Sequence, residues 1–450
     1  MSNQDPYILS PLAVKGPPTT FRGRLKYLGP GFILSASIVG SGELIATTTL
    51  GAQAGFITFW VIIVSCLVKV AVQIEFAKHT ILTGESPMAA FNQLPGMKFG
   101  KANWTIWLFF FLMLIKILQL GGIVGGVAII LNIAFPQITI GAWAFVTAVA
   151  VALMIFRGYY KFIEKFSIWM IGFFTLFTFV SLYFLEYTPY SLSLEQILSG
   201  LKFGLPPTAV AVAIGAFGIT GVGGDEIIAY NYWCLEKGYA AHAGPAEDSE
   251  AWRSRAKGWI KTMEMDAIAA MVVYTLVTAA FYLLGAAVLH AQGNVPQGYE
   301  MVETLSAMYT ESLGPQARTL FLAGACVVLF STLFAALAAW TRQFSDIFGQ
   351  IGWINFYDLS DRKKTIAWLA WAFPLLWAAM FVFIKLPVLM VLIGGVITSV
   401  ILFIVIFAVV NFRYKRLNKS FIPTLKYDVI LWLSMVAIFL VGVYGLVKLF

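Results

Sequence analysis

The stretch Val-Gly-Ser-Gly-Glu-Leu-Ile-Ala at residues 39–46 decides how this chain folds, because a second stretch repeats it. Residues 222–229 read Val-Gly-Gly-Asp-Glu-Ile-Ile-Ala, and the two stretches carry the same residue at five of their eight positions. Each lies near the middle of a long apolar segment. Because each glycine weakens a helix by about 1 kcal/mol relative to alanine, both segments are predicted to be helices that unwind at these places.

The composition indicates that these segments lie in a membrane. Sixty per cent of the chain is hydrophobic and 12% is charged, whereas soluble domains are about 25% charged. The 38 phenylalanines outnumber the 30 lysines and arginines together, so too few polar side chains exist to cover a surface facing water. This composition excludes a soluble enzyme, a nucleic-acid-binding protein and a disordered chain. The cysteines lie in apolar runs without CxxC spacing, so no disulfide framework or zinc site is predicted.

Eleven runs are long and apolar enough to cross a bilayer, which takes about 20 residues. They cover 28–50, 56–80, 103–133, 139–156, 166–187, 206–234, 263–290, 317–341, 365–386, 388–412 and 427–449. The predicted fold is therefore an all-α integral membrane protein with about eleven transmembrane helices. Residues 1–27 form a polar N-terminal arm, and residues 28–450 form a single transmembrane domain.

The two matching stretches begin two blocks of five helices, as in transporters built from inverted repeats. Repeat one covers about 28–187, repeat two about 206–412, and an extra helix about 427–449. Unwound backbone at membrane depth is tolerated only inside protein or beside a wet cavity, and intramembrane carboxylates mark functional sites. The predicted binding residues are Gly40, Ser41, Gly42, Glu43, Gly223, Gly224, Asp225 and Glu226, with Lys116, Tyr230 and Asn231 as candidates for coupling or cavity lining.

The basic residues indicate how the chain is oriented. With the N-terminus inside, the inner loops hold 23 of the 30 lysines and arginines, and the outer side holds four. Cytoplasmic loops of membrane proteins carry such an excess. A cytoplasmic N-terminus and an external C-terminus in the cell membrane are therefore predicted. The net charge of +8 is explained by topology, so no nucleic-acid partner is expected beside the lipid bilayer.

At several places the sequence resembles the Nramp family of divalent-metal transporters. Gly-Pro-Gly-Phe at residues 29–32 is similar to that family's first helix, and Gly-Ala-Gln-Ala-Gly-Phe at 51–56 is similar to its next connection. Gln73, the Thr-Gly pair at 83–84 and the Ser-Thr pair at 331–332 also fit. The likeness covers most of the chain. It implies a LeuT-type five-plus-five fold with helices one and six broken.

The sequence departs from the family's pattern at the binding site itself. Where Nramp metal transporters carry Asp-Pro-Gly-Asn on helix one, residues 40–43 read Gly-Ser-Gly-Glu. Their Met-Pro-His on helix six aligns with Gly-Gly-Asp at 223–225, and a further histidine aligns with Tyr230. The soft methionine ligand and the family's proton-path histidines are therefore missing at their usual positions. Selective import of Mn2+ or Fe2+ in the usual way is not expected.

Two substrates of opposite charge fit these residues. In the favoured interpretation, Glu43 and Asp225, with Glu226 as a further candidate, bind a hard divalent cation such as Mg2+ or Mn2+ together with backbone carbonyls and water. In the alternative, free N–H groups at the breaks bind a small oxyanion or carboxylate such as bicarbonate. The coupling ion is Na+ or H+ in either case, and no cofactor is predicted.

An enzyme is the contrasting class of function. Paired carboxylates are able to act as general acids and bases, but the sequence has no Ser/His or Cys/His pairing, no HExxH and no phosphate-binding loop. The chain is therefore predicted to be a secondary transporter. Its helices one and six would rock against the remaining helices around a site at the midplane.

Overall fold

The structure is a computed structural model that describes residues 5–40, 42–156 and 160–449. Ser41, one of the predicted binding residues, lies outside these ranges. Most of the described chain is helical, and the strands Lys98–Phe99 and Ala102–Asn103 pair antiparallel in a short hairpin.

The helices that build the body are numbered here in chain order. They are α1 Pro30–Ile38, α2 Thr48–Ala54, α3 Phe59–Thr83, α4 Trp104–Ala134, α5 Ile140–Ile155, α6 Tyr160–Leu185, α7 Val210–Ile219, α8 Gly224–Lys237, α9 Glu250–Leu284, α10 Met301–Leu313, α11 Ala317–Ile351, α12 Leu359–Ile384, α13 Pro387–Asn411 and α14 Leu425–Leu449. Shorter α-helices are Phe21–Leu25, Pro87–Asn92, Leu194–Ser199, Tyr239–Ala243 and His290–Gln292. Single π-helical turns are Gly42–Thr47, Gly285–Leu289 and Phe412–Arg416, and 3-10 turns are Pro11–Ala13, Gly55–Thr58, Pro207–Ala209, Gly298–Glu300 and Lys419–Phe421.

The first predicted break is confirmed. Helix α1 ends at Ile38, and the chain resumes as the π-helical turn Gly42–Thr47 before α2. A Cβ atom on Gly40 would lie 1.5 Å from Thr332 Oγ1 and 2.6 Å from Thr332 Cβ on α11. Glycine is therefore required here because the broken helix approaches α11 closely.

The second break is also confirmed, but it lies slightly earlier than the sequence indicated. Helix α7 ends at Ile219 and α8 begins at Gly224, so the non-helical residues are 220–223. Gly221 has a φ of +65°, which favours glycine, and a Cβ there would lie 2.9 Å from Cys66 Cα. Gly224 is already helical because Glu226 caps the start of α8.

Each predicted transmembrane segment coincides with helix. Within the described ranges, eight stretches are long and apolar enough to span a bilayer, and one of them, Pro30–Thr83, contains two of the predicted segments. The shorter apolar helices Ile140–Ile155 and Thr175–Leu185 lie where two more were predicted. The chain is a multi-pass membrane protein, and the number of eleven crossings stays a prediction.

The two broken helices lie side by side in the bundle. Helix α1 packs against α8, α9 and α11, while α7 packs against α13, which also packs against α4. The crossing of α7 and α13 is close, because a Cβ on Gly218 would lie 1.8 Å from the carbonyl oxygen of Gly395. Helices α1, α4, α8, α11 and α13 thereby surround the two breaks.

Candidate functional site

A cavity of about 30 Å³ lies where the two breaks meet. At about 10–15 Å³ for each water molecule, it holds roughly two waters. Its polar lining residues come from five helices and one break; they are Ser37, Gly42, Lys116, Gln119, Asp225, Glu226, Thr332, Gln343 and Thr398. Apolar side chains, including Trp233 and Trp340, complete the wall. A space of this volume matches water molecules or a small ion.

Asp225 carries one of the two carboxylates of the cavity, and it is paired. It lies in the first turn of α8, directly after the second break. Lys116 reaches it from the middle of α4, with Nζ 2.5 Å from Asp225 Oδ1. Asp225 is 6% exposed and Lys116 is 3% exposed. The structure thus brings together a predicted binding residue and the intramembrane lysine.

Glu226 lines the same cavity, but both of its carboxylate oxygens already accept hydrogen bonds. The backbone N–H of Gly223 donates to Oε2 over 2.8 Å, which closes a cap on α8. The Ser37 hydroxyl donates to Oε1 over 2.8 Å and so connects α1 to α8. Glu226 therefore holds the two broken helices together, and its negative charge remains beside the cavity.

Glu43 does not line the cavity that Asp225 and Glu226 share, so the binding of one ion by Glu43 and Asp225 together stays a prediction. Its side chain is directed to α9, where the Thr278 hydroxyl donates to Oε1 over 2.8 Å. Glu43 is fully buried, and its Oε2 has no hydrogen-bond partner among the described atoms. Glu43 lies in the first turn of the π-helical segment Gly42–Thr47, directly after the first break.

Tyr230 and Asn231 do not line the cavity either. The Tyr230 hydroxyl donates to Asp266 Oδ2 over 2.9 Å, on the side of α8 that faces α9. Asn231 accepts a hydrogen bond from the Thr80 hydroxyl on α3 and donates to the carbonyl of Ile227. Both side chains are fully buried. They position α8 within the bundle, and the expectation that they face the cavity is wrong for this structure.

Two glutamines of the cavity were not foreseen. Gln119 lies one turn after Lys116 on α4, and Gln343 lies on α11. Gln343 Nε2 donates to the backbone carbonyl of Asp225 over 2.8 Å, and Oε1 of each glutamine is buried without a hydrogen-bond partner in the described part of the chain. Unpaired buried acceptors are costly, so these oxygens are candidate ligands for a cation or a water molecule. The sequence signal for both glutamines is a polar amide within an otherwise apolar run.

The predicted glycines serve close packing as much as the site. Gly42 lines the cavity, whereas Gly40 contacts Thr332 on α11. A Cβ on Gly223 would lie 2.6 Å from the Thr398 methyl group, and one on Gly224 would lie 2.8 Å from the backbone nitrogen of Leu402. These short distances keep α13 against the second break.

Comparison with known proteins agrees with this architecture. The model of the Nramp family, described as "Natural resistance-associated macrophage protein-like", matches residues 31–448. The chain belongs to the Nramp family. Of the stretches that resemble the family in sequence, the Ser-Thr pair at 331–332 reaches the cavity through Thr332.

The two curated relatives described here are both named divalent metal cation transporter MntH. A "Divalent metal cation transporter MntH" of Xanthomonas campestris pv. campestris is 26% identical over 314 residues, which are 69% of this chain and 63% of the relative. The MntH of Bacillus subtilis strain 168 is 32% identical over 84 residues, which are 18% of this chain and 20% of the relative. The chain thus matches less than two thirds of the length of either relative.

Solved structures share the fold. A mutant of the manganese transporter of Eremococcus coleocola has a TM-score of 0.65 at 17% identity, covering 97% of this chain and 90% of that one. Mhp1, a nucleobase-cation-symport-1 family transporter, has a TM-score of 0.58 at 14% identity, covering 97% of this chain and 95% of that one. The fold of this Nramp chain is therefore of the LeuT type, with the first and sixth helices broken.

The side chains of the cavity favour oxygen ligands. In the ranges that the structure describes, no three or more His, Cys, Asp or Glu residues cluster as a metal site. Any cation in the cavity would instead contact Asp225, the amide oxygens of Gln119 and Gln343, and water. Such a set suits hard ions such as Mg2+, Ca2+ and Mn2+, and not soft ones.

Proposed function

We propose that this Nramp protein is a secondary transporter that moves a hard divalent cation, Mg2+ or Mn2+, by alternating access. The observation that carries the proposal is the enclosed cavity between the two helix breaks, where the Asp225 and Glu226 carboxylates lie beside two unpaired amide oxygens. The names of its relatives, which are divalent-metal and manganese transporters, support the same class of substrate.

The cavity has room for a small ion with little of its hydration shell. A space for about two waters beside Asp225 holds an ion with about one retained water. Mg2+ usually keeps several waters when one or two carboxylates bind it, so in this cavity the amide oxygens of Gln119 and Gln343 would replace part of that shell. Glu226 lies beside this space but offers no free carboxylate oxygen, because Ser37 and the backbone N–H of Gly223 already donate to its two oxygens.

A small anion is the second candidate, because Lys116 places a positive charge in the cavity. Its ammonium group is already bonded to Asp225. The other polar groups of the lining include the Glu226 carboxylate and the unpaired amide oxygens of Gln119 and Gln343, and these acceptors favour a cation over bicarbonate or another oxyanion. A gradient of Na+ or H+ would drive the transport of either substrate.

The N-terminus is proposed to be cytoplasmic. Regions assigned to the inner face by their basic residues contact each other: Asp5 pairs with Arg362, Tyr7 bonds to Glu236, and Arg416 pairs with Glu85. Their proximity supports a common side for the N-terminal arm and these loops, and the excess of basic residues supports the cytoplasmic side.

The proposal is tested by uptake of Mg2+ and Mn2+ into proteoliposomes containing the full chain or its Asp225→Asn variant. Removing the charged ligand is expected to lower uptake at least about tenfold, which corresponds to about 1.4 kcal/mol of lost binding. The matched control is Glu186→Gln, which removes an exposed carboxylate after α6 and should leave uptake unchanged.

Stability of the variants is checked separately, because Asp225→Asn leaves the Lys116 ammonium without its partner. Breaking a buried ion pair costs about 3–5 kcal/mol, so each variant is first shown to elute as a single folded species. A folded Asp225→Asn variant that transports Mg2+ and Mn2+ at the original rate would remove Asp225 from the substrate site.

A further inference from the structure

We propose that Lys116 is a tethered cation that occupies the position of the substrate at Asp225 and must be displaced when a divalent ion binds. This inference rests on the proposed function and concerns selectivity at the same site. Lys116 and Asp225 are joined by one hydrogen bond, and both residues line the cavity. The ammonium group therefore lies where an entering cation would meet the carboxylate.

The surroundings of this pair differ from those of the buried Arg342–Glu236 pair. Arg342 donates to both oxygens of Glu236 and to the carbonyl of Ala338, so that pair is held by several bonds. Asp225 Oδ1 and Lys116 Nζ share a single contact of 2.5 Å, beside space for water. A pair with one bond and adjacent free volume is able to separate without unpacking the bundle.

The charges of the cavity explain why displacement matters. With Lys116 in place, its ammonium group neutralises the Asp225 carboxylate. A divalent ion is able to pair with Asp225 only after the ammonium group has moved away. Coulomb energy is proportional to charge, so a divalent ion competes with the ammonium for Asp225 about twice as strongly as Na+ does at equal distance.

Selectivity against monovalent cations is the consequence. Na+ and K+ bring the same charge as the ammonium group and gain no Coulomb advantage over a cation that is covalently attached to the site. Gln119 and Gln343 lie close by with free amide oxygens, and they supply further ligands once a divalent ion has replaced the ammonium. Lys116 is thus a specificity-determining residue.

The test measures binding of Mg2+ and Mn2+ to the purified full chain by isothermal titration calorimetry, with Na+ as competitor. Lys116→Gln removes the tethered charge and is expected to bind both divalent ions at least tenfold more tightly and to become sensitive to Na+. Lys116→Arg keeps the charge and allows a bidentate pair with Asp225, so its affinity is expected to fall at least tenfold. The control is Lys202→Gln, an exposed lysine whose loss should change nothing.

The two variants have opposite expected signs, so the proposal remains testable if Lys116→Gln does not fold. The inference would be overturned if Lys116→Arg bound the divalent ions as tightly as the wild type or more tightly. It would also be overturned if a folded Lys116→Gln bound them no more tightly than the wild type. Either result would leave the proposed function intact, provided that the wild type binds. Binding that appears only in Lys116→Gln supports the inference. If neither the wild type nor any variant binds Mg2+ or Mn2+, the proposed function itself is wrong, and the inference fails with it.

Discussion

Replacing Gly40 with alanine tests whether the first break depends on close contact with α11. The added Cβ would lie 2.6 Å from Thr332 Cβ and 1.5 Å from Thr332 Oγ1, whereas carbon atoms pack at about 3.5–4.0 Å. Rotation of the hydroxyl cannot relieve the first contact, because Thr332 Cβ is fixed to the backbone of α11. The two helices must therefore separate by roughly 1 Å.

The expected loss of stability follows from two contributions. Overpacking a core costs about 1–3 kcal/mol. The displaced Thr332 hydroxyl also loses its 3.2 Å hydrogen bond to the carbonyl of Ser37, a loss of about 0.5–1.5 kcal/mol. Gly40→Ala should thus destabilise the protein by about 1.5–4.5 kcal/mol, and uptake should fall because Ser37 and Thr332 both line the cavity.

The assay is thermal unfolding in detergent, followed by uptake in proteoliposomes. Gly172→Ala is the matched control, since a Cβ there meets no atom within 4 Å and alanine favours helix by about 1 kcal/mol. The double variant Gly40→Ala/Thr332→Gly removes the opposing Cβ and should recover much of the lost stability. A Gly40→Ala variant as stable as the wild type would refute the reasoning.

Two other predictions concern carboxylates at the ends of helices. Asp266 accepts hydrogen bonds from the backbone N–H groups of Gly29 and Gly31, over 2.8 and 2.6 Å, at the start of α1. Asp266→Asn should therefore destabilise the protein by about 1–3 kcal/mol. The same unfolding assay checks this, and an unchanged melting temperature would contradict it. Burial raises the pKa of Glu85, but hydrogen bonds from His79 and Arg416 outweigh this effect and lower that pKa to about 2. A lowered pKa contributes stability that is present above about pH 4.3, the usual glutamate value, and is lost as the pH falls toward 2. The melting temperature should therefore decline over this window in the wild type and less steeply in Glu85→Gln, and parallel curves would count against the pairing.

The two breaks could be predicted from sequence because glycine and carboxylate have strong local effects at membrane depth. The repeat of Val, Gly, Glu, Ile and Ala placed both breaks to within a few residues, although the second begins at Thr220. That offset arises because Gly221 adopts a left-handed conformation against Cys66, a contact between distant parts of the chain that a local pattern does not contain.

The partners of the charged residues could be predicted only in part. Lys116 was predicted as a candidate for coupling or cavity lining, and its pairing with Asp225 follows from the folded bundle, which brings α4 to the start of α8. The direction of Glu43 could not be predicted, because its partner Thr278 lies 235 residues away on α9 and meets it only in the folded bundle. Gln119 and Gln343 were visible as amides in apolar runs, but their common cavity exists only in the folded bundle.

The most direct test of the central claim is a flux measurement that offers Mg2+, Mn2+ and bicarbonate separately to proteoliposomes of the full chain, with and without gradients of Na+ and H+. The account predicts uptake of Mg2+ or Mn2+ that depends on Asp225, and no uptake of bicarbonate. Uptake of bicarbonate alone would contradict it and would make Lys116 the substrate-binding group.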